Sequence, residues 1–322
     1  MRYIIYGAGA VGGVIGGRLF QHGFEVVLIA RGAHLETIRT RGIRLDTPDS
    51  SETLGVGVAG HPSEIDFRDG DAVILTMKTQ DAEAALADLR AAAGADVPVF
   101  CAQNGVENER LALRRFANVY GVMVVLPATH MEPGVVRADT VPVSGALVMG
   151  RYPEGDDATA GAVAADLCAA TLDARTDGQV MRWKYAKLLA NLGNALQAIC
   201  GTAADAGELL REVRAEALAC YKAAGIEAVA DEELRALQRS IRTAPSSGAL
   251  RQGGSSWQSL ARATGSIETD FLNGEIALLG RLHGVPTPVN AMLQEVADRL
   301  ARERREPGSR TVGELRQALA AG

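Results

Sequence analysis

The first seventeen residues, Met1–Gly17, read MRYIIYGAGAVGGVIGG. This stretch predicts a β-strand over Arg2–Tyr6, then a glycine-rich turn, then a helix over Val14–Phe20. The turn has the GxGxxG spacing typical of dinucleotide-binding βαβ units, and it consists of Gly7, Ala8, Gly9, Ala10, Val11 and Gly12. We therefore expect these six residues to contact a dinucleotide.

Each glycine of the turn has a separate predicted role. Gly7 permits a tight turn out of the strand, Gly9 lets the backbone approach a pyrophosphate, and Gly12 lets the helix pack closely on the strand. The N–H groups and the dipole at the helix start then favour phosphate. A second apolar strand, Glu25–Ile29, follows at the expected distance and favours this interpretation over a flavodoxin-like turn without a ligand.

The end of the second strand bears on the choice of cofactor. NAD-specific folds place an acidic residue there, which binds the ribose 2′-hydroxyl. This chain has Arg31 instead, and a guanidinium matches the geometry of a 2′-phosphate. The sequence therefore predicts NADPH as the cofactor, although a solvated surface arginine is the alternative.

Length and composition limit the remaining choices. The 322 residues are enough for about two domains, and a net charge of −6 argues against nucleic acid or an anionic membrane as a partner. The four cysteines form no CxxC pair, so neither a metal site nor a disulfide framework is predicted. Without a signal peptide or a long apolar run, the sequence predicts a cytoplasmic protein.

Alternating strands and helices follow the turn as far as residue 177. They predict a parallel, doubly wound sheet of the Rossmann type, with ligands at the carboxyl ends of its strands. Lys78, Gln103 and Asn104 come at such strand ends. Beyond Asp177–Gly178 the sequence is almost wholly helical, so we expect a dinucleotide-binding domain over 1–177 and a helical domain over 178–322.

Two polar groups stand out in the helical half. Lys187, Asn191 and Asn194 have spacings of four and three residues, which place them on one face of a helix predicted over Gln179–Ile199. Lys184 lies near the same face, so spacing alone does not decide between the two lysines. The second group combines the SSWQS segment, which contains Ser256, with an acidic stretch that contains Glu268.

Together these pieces resemble the ketopantoate reductase (2-dehydropantoate 2-reductase) family along nearly the full chain. The resemblance rests on the following ordered elements: GAGAVG from Gly7, the strand-end Lys78, Gln103-Asn104-Gly105, Lys187 with Asn191, Ser256 twelve residues before Glu268, Asp270, Asn273-Gly274, and Pro286-Thr287-Pro288-Val289-Asn290. It implies a Rossmann domain joined to a helical domain of the 6-phosphogluconate dehydrogenase type. It also implies reduction of a 2-oxo acid to a 2-hydroxy acid by NADPH, as in pantothenate biosynthesis.

The resemblance also implies roles for individual residues. Lys187 is expected to be the general acid, and Glu268 to hold a substrate hydroxyl or tune that lysine. Lys78 and Asn104 are expected to contact the cofactor. The predicted substrate ligands are Asn104, Asn191, Asn194 and Ser256. A small 2-oxo acid is the expected partner, and a homodimer is compatible with the sequence.

Two departures from the family pattern concern the substrate. The family usually has an asparagine eight residues after the catalytic lysine, where this chain has Ala195, and often another three residues before the serine, where it has Gly253. Reaction type is therefore predicted more firmly than substrate. The alternatives are a paralogous reductase of a more apolar 2-oxo acid or ketone, an opine-type or hydroxyacid dehydrogenase, and a non-catalytic NADPH-binding sensor.

Overall fold

The computed structural model describes residues 1–244 and 253–321. Contacts between Cα atoms divide the chain into two compact units. The first consists of Met1–Lys184 with the described part of Val229–Arg251, and the second of Tyr185–Ala228 with the described part of Gln252–Gly322. These bounds differ from the predicted division at 177 and 178, which stays a prediction. Within the first unit, the N–H of Val229 donates to the carbonyl of Arg182 at 3.2 Å.

All the described strands belong to the first unit. In chain order they are β1 Arg2–Tyr6, β2 Glu25–Ile29, β3 Ile43–Asp46, β4 Ser51–Leu54, β5 Gly57–Ala59, β6 Asp71–Leu75, β7 Val99–Cys101, β8 Val119–Val125, β9 Ala128–Thr129, β10 Val135–Ala138, β11 Thr140–Val141, β12 Ala146–Arg151, β13 Asp173–Thr176 and β14 Arg242–Thr243. Eight of them form the main sheet, in the order β13-β12-β8-β7-β6-β1-β2-β5. Every neighbouring pair in it is parallel except β8 with β12.

The described helices, in chain order, are α1 Ala10–Gln21, α2 Gly32–Arg41, α3 Ala82–Ala93, α4 Asn108–Leu113, α5 Ala158–Ala169, α6 Val180–Asn191, α7 Gly193–Cys200, α8 Gly207–Ala224, α9 Asp231–Gln238, α10 Ser255–Ala261, α11 Asn273–His283, α12 Pro288–Arg302 and α13 Val312–Ala321. Short 3-10 helices cover Pro62–Glu64, Thr79–Asp81 and Glu268–Phe271. No helix in this described set is long and apolar enough to span a bilayer.

The main sheet is buried on both faces, as its apolar strands predict. Successive residues of β1 alternate between two cores. Tyr3 and Ile5 belong to one apolar cluster and Ile4 belongs to the other, and all three are fully buried. Helix α1 packs on the first face. This arrangement confirms the predicted α/β fold with a doubly wound parallel sheet.

Two smaller sheets accompany the main one: β4-β3-β10-β9 and the pair β11-β14. Helix α1 lies between the main sheet and the four-stranded sheet, and its glycines make this possible. A Cβ on Gly16 would lie 2.6 Å from Leu28 of β2, and a Cβ on Gly13 would lie 2.6 Å from Val136 of β10. The run of small residues in α1 therefore serves close packing on two sides.

The second unit contains α7, α8 and α10–α13, together with the end of α6. Buried amides connect its helices. Asn273 donates to the side-chain oxygen of Asn290 at 3.0 Å and to the carbonyl of Leu192 at 3.3 Å. Asn290 donates in turn to the carbonyl of Val213 and to the carboxylate of Glu216. This network fixes the junction of α6 and α7 against three other helices.

Several element boundaries differ from the sequence-based predictions. The helix predicted over Gln179–Ile199 is interrupted at Leu192. The one predicted over Asp231–Thr243 ends at Gln238, and Arg242–Thr243 pairs with β11 instead. The helix predicted over Ser266–Gly284 begins as a 3-10 helix before α11. Most of the loop predicted over Pro245–Gly254 lies outside the described residues.

Candidate active site

The strand ends of the first unit bring several of the predicted residues to one edge of the main sheet. The order β7-β6-β1-β2 places the segments after these four parallel strands side by side. Asn104 follows β7, Lys78 follows β6, Gly7 opens the turn after β1, and Arg31 follows β2. Strand order changes direction at β1, because β2 lies on one side and β6 on the other. Ligands of doubly wound sheets bind at such a point.

The glycine turn is closely packed at Gly7 and Gly12 and open at Gly9. Gly7 has a φ of +107°, and a Cβ there would lie 2.6 Å from the backbone nitrogen of Met77. A Cβ on Gly12 would lie 2.3 Å from both Gly7 O and Thr76 Oγ1, so this glycine is required by helix–strand packing. At Gly9, by contrast, no described atom lies within 4 Å of the Cβ position. The backbone of Gly9 therefore faces open space.

The start of α1 adds to this anion site. Gly9 is the N-cap, no side chain of the described structure caps the helix, and its first turn has no acidic residue. The first N–H groups of a helix lack intrahelical partners and attract negative charge. The turn therefore presents donors without a competing carboxylate.

His34 holds the turn from the side and was not predicted as a site residue. Its Nε2 lies 2.6 Å from the carbonyl oxygen of Ala8, and its Nδ1 accepts the N–H of Gly134 at 2.8 Å. The ring packs against that of His130 at a tilt of 46°, with centroids 4.2 Å apart. Burial lowers the pKa of His34, opposed in part by the bond to Ala8. One donor and one acceptor nitrogen fix the neutral Nε2–H tautomer.

A buried amide joins the segments that carry Lys78 and Asn104. Asn108 is fully buried, and its Nδ2 donates to Thr79 Oγ1 at 3.0 Å and to the carbonyl of Asn104 at 3.3 Å. Lys78 is the N-cap of the 3-10 helix that begins at Thr79. Asn108 therefore fixes the spacing of the two predicted cofactor ligands, a role that sequence spacing alone did not reveal.

Arg31 is the N-cap of α2, at the position predicted for a 2′-phosphate ligand. Its guanidinium is paired with a carboxylate: Nη2 lies 3.1 Å from Asp81 Oδ2. The side chains are 76% and 45% exposed, so the pair is accessible to solvent and to a ligand. The first turn of α2 contains no acidic residue.

Lys184 is held in a buried ion pair. Its ammonium donates to the carboxylate of Glu109, and to the carbonyls of Cys101 at 3.3 Å and Gln103 at 3.1 Å. The side chains of Lys184 and Glu109 are 2% and 0% exposed. Burial raises the pKa of the Glu109 carboxyl, and the neighbouring ammonium opposes this shift. All three donors of the ammonium therefore have an acceptor, which indicates a structural role for this lysine.

In the second unit, Lys187 and Asn191 lie one turn apart on α6, and Asn194 lies on α7. Lys187 is half-buried and Asn191 is buried. Leu192 separates the helices but keeps helical dihedral angles, φ −58° and ψ −28°. The interruption is therefore slight. Ala195, at the position of the family's second asparagine, is 1% exposed.

Helix α10 brings Ser256 beside α7. The N–H of Gly254 donates to Gln197 Oε1 at 2.6 Å, and a Cβ on Gly254 would lie 3.1 Å from Asn194 Oδ1. Ser256 is 2% exposed, and its hydroxyl makes no hydrogen bond to any of the described residues. A buried hydroxyl of this kind is a ready ligand for a polar group of a substrate.

Trp257 accounts for the glycine three residues before Ser256. A Cβ on Gly253 would lie 2.5 Å from Trp257 Cγ. The indole therefore occupies the space that the family's asparagine side chain would need. This part of the segment is more apolar than the family pattern.

Glu268 is buried at the start of the 3-10 helix Glu268–Phe271. The next residue, Thr269, donates its hydroxyl to Asp298 Oδ1 at 2.9 Å. Burial, with a contribution from the neighbouring Asp270, raises the pKa of Asp298 to about 6. The segment that carries Glu268 is thus tied to α12 through a titratable carboxyl.

Comparison with known proteins decides the family. The model of "Ketopantoate reductase PanE/ApbA" matches residues 3–154, and that of its C-terminal region matches residues 179–301. The chain belongs to the ketopantoate reductase family. It is accordingly an oxidoreductase that acts on CH–OH groups with a nicotinamide cofactor.

Individual members of the ketopantoate reductase family match along most of their length. The 2-dehydropantoate 2-reductase of Pyrococcus horikoshii is 28% identical over 304 residues, which cover 91% of this chain and 95% of the relative. The 2-dehydropantoate 2-reductase of Halobacterium salinarum is 29% identical, and the match covers 92% of this chain and 97% of the relative. A family member from Ralstonia eutropha JMP134, known from a crystal structure, is 30% identical in sequence. The match covers 94% of this chain and 99% of that one, with a TM-score of 0.78.

Proposed function

We propose that the protein reduces ketopantoate to pantoate with NADPH, as a cytoplasmic enzyme of pantothenate biosynthesis. The observation that carries this proposal is the match of both family models, because together they include every residue assigned below. The curated relatives named 2-dehydropantoate 2-reductase support the same substrate. A small 2-oxo acid is the only partner that the proposal requires.

The first unit fits NADPH. The open space at Gly9 and the uncapped start of α1 suit a pyrophosphate, and the exposed guanidinium of Arg31 suits a 2′-phosphate. We assign Gly7 to Gly12, Arg31, Lys78 and Asn104 to cofactor binding. When bound, NADPH supplies the hydride. The chain's own residues orient it and shield its phosphates.

The protein must supply a proton to the ketone oxygen as negative charge develops there. We assign this proton to Nζ of Lys187, because Lys184 is saturated by Glu109 and two carbonyls. Asn191, Asn194 and Asn104 would orient the substrate. The unpartnered hydroxyl of Ser256 would bind its carboxylate.

We assign Glu268 to a substrate hydroxyl or to the tuning of Lys187. The family model of the C-terminal region, which matches residues 179–301 and so includes this buried glutamate, supports the assignment. Together with Lys187, it completes the proposed catalytic pair.

A second candidate substrate is a 2-oxo acid with a bulkier apolar group. The specific observation in its favour is Trp257, whose ring fills the space beside Gly253. An indole surface favours an apolar substituent over a hydroxyl. A reductase of this kind would use the same cofactor and the same lysine.

A panel assay separates these functions. NADPH oxidation is followed by absorbance with ketopantoate, with aliphatic 2-oxo acids of increasing size, and with a phenyl-substituted 2-oxo acid. We expect kcat/KM above about 10⁴ M⁻¹s⁻¹ for at least one of them. Preference for ketopantoate supports the first proposal, and preference for a bulky acid supports the second. Tight NADPH binding without turnover of any 2-oxo acid would contradict both and favour a sensor.

A further inference from the structure

The ion pair between Arg31 and Asp81 lies at the place proposed for the 2′-phosphate. Arg31 follows β2, and Asp81 ends the 3-10 helix after β6. These strands flank β1, so the pair spans the end of the strand that leads into the glycine turn. Asp81 Oδ2 and Arg31 Nη2 are 3.1 Å apart.

A carboxylate on this guanidinium affects NADPH and NADH differently. The 2′-phosphate of NADPH would have to share or displace Asp81, and its negative charge would be repelled by the carboxylate. NADH has a hydroxyl at that position and meets neither cost. We propose that Asp81 is a specificity-determining residue, which lowers the preference for NADPH by competing with the 2′-phosphate for Arg31. This inference rests on the proposed function, in which Arg31 binds that phosphate.

Stability does not account for the pair. Both side chains are exposed by 45% or more, and exposed ion pairs contribute little to folding. Asp81 is the N-cap of α3, but its side chain makes no capping hydrogen bond there. Its carboxylate is therefore available for a role in cofactor choice.

The test compares Asp81→Asn with Asp88→Asn. The asparagine keeps the shape of Asp81 and removes its charge. Asp88 is a matched control, because it lies on α3, is 49% exposed, and pairs with His61 at 3.3 Å. Dissociation constants for NADPH and NADH are measured by fluorescence titration of each protein.

For Asp81→Asn we expect the Kd for NADPH to fall about 3- to 5-fold, the upper part of the range of one exposed charge contact. The Kd for NADH should change less than about 2-fold, since NADH lacks the phosphate. Asp88→Asn should change neither value. Weaker NADPH binding by Asp81→Asn would overturn the inference, because Asp81 would then position Arg31 rather than compete for it.

Arg31→Ala separates this inference from the function on which it rests. If Arg31→Ala abolishes a preference for NADPH while Asp81→Asn changes nothing, only the role of Asp81 is overturned. If Arg31→Ala leaves the ratio of the two dissociation constants unchanged, the assignment of Arg31 fails as well. A fall in the Kd for NADPH in Asp81→Asn, with little change in the Kd for NADH, supports the inference.

Discussion

Replacement of Lys184 by methionine tests the distinction between the two lysines of α6. In the folded protein Lys184 makes three hydrogen bonds, to Glu109 and to two carbonyls near the end of β7. Methionine is likewise unbranched, is one atom shorter and carries no charge. The variant therefore leaves the fully buried carboxyl of Glu109 without its cation.

The expected cost is large. Removal of one partner of a buried ion pair typically destabilises a protein by about 3–5 kcal/mol. Burial already raises the pKa of Glu109, and loss of the ammonium raises it further. The native state then retains a proton that the unfolded chain has released, so the free energy of unfolding falls as pH rises above the pKa of the unfolded carboxyl. The loss relative to wild type should be smaller at pH 5 than at pH 8.

Urea unfolding followed by circular dichroism measures this effect. The double variant Lys184→Met/Glu109→Leu should recover most of the stability, because an apolar pair of similar volume replaces the ion pair. Lys187→Met is the matched control on the same helix. Its loss in free energy of unfolding should be less than half that of Lys184→Met. Wild-type stability in the single Lys184→Met variant at pH 8 would refute the reasoning.

Three further predictions concern the glycine turn, the segment before Ser256 and the carboxyl of Asp298. Gly12→Ala should destabilise the fold by about 1–3 kcal/mol, because its Cβ would lie 2.3 Å from two oxygen atoms. Gly9→Ala, by contrast, should keep the wild-type Tm but raise the Kd for NADPH about 10-fold or more. Gly253→Asn should improve kcat/KM for ketopantoate only together with Trp257→Ala, by about 3- to 10-fold, since one hydrogen bond contributes ~0.5–1.5 kcal/mol. Asp298→Asn should raise the free energy of unfolding at pH 8 by on the order of 1 kcal/mol, and should not raise it at pH 4. The reason is that the raised pKa of Asp298 makes its charged form costly above about pH 6. Equal effects at both pH values would contradict this prediction.

The local part of the fold could be predicted because its signals are short-range. The turn that begins at Gly7 follows from a strand, three spaced glycines and a helix start, all within about twenty residues. The continuous apolar run of β1 likewise indicates a sheet buried on both faces. The bounds predicted for β2 coincide with those observed, Glu25–Ile29.

The contacts that decide residue roles are long-range, and spacing could not reveal them. Lys184 and Glu109 are 75 positions apart, and Arg31 and Asp81 are 50 positions apart. The carbonyl of Leu192, where the helix is interrupted, accepts a hydrogen bond from Asn273, 81 positions away. Each was missed because a one-dimensional pattern gives no information on which distant side chain meets a given backbone group.

The most direct test of the account is the turnover of ketopantoate with NADPH by the wild type and by Lys187→Ala, measured together with the Kd for NADPH. The account predicts measurable reduction by the wild type and a loss in kcat of about 10²- to 10⁴-fold in the variant. The Kd for NADPH should stay within about 2-fold. A variant that keeps wild-type kcat would contradict the assignment of Lys187 as the proton donor.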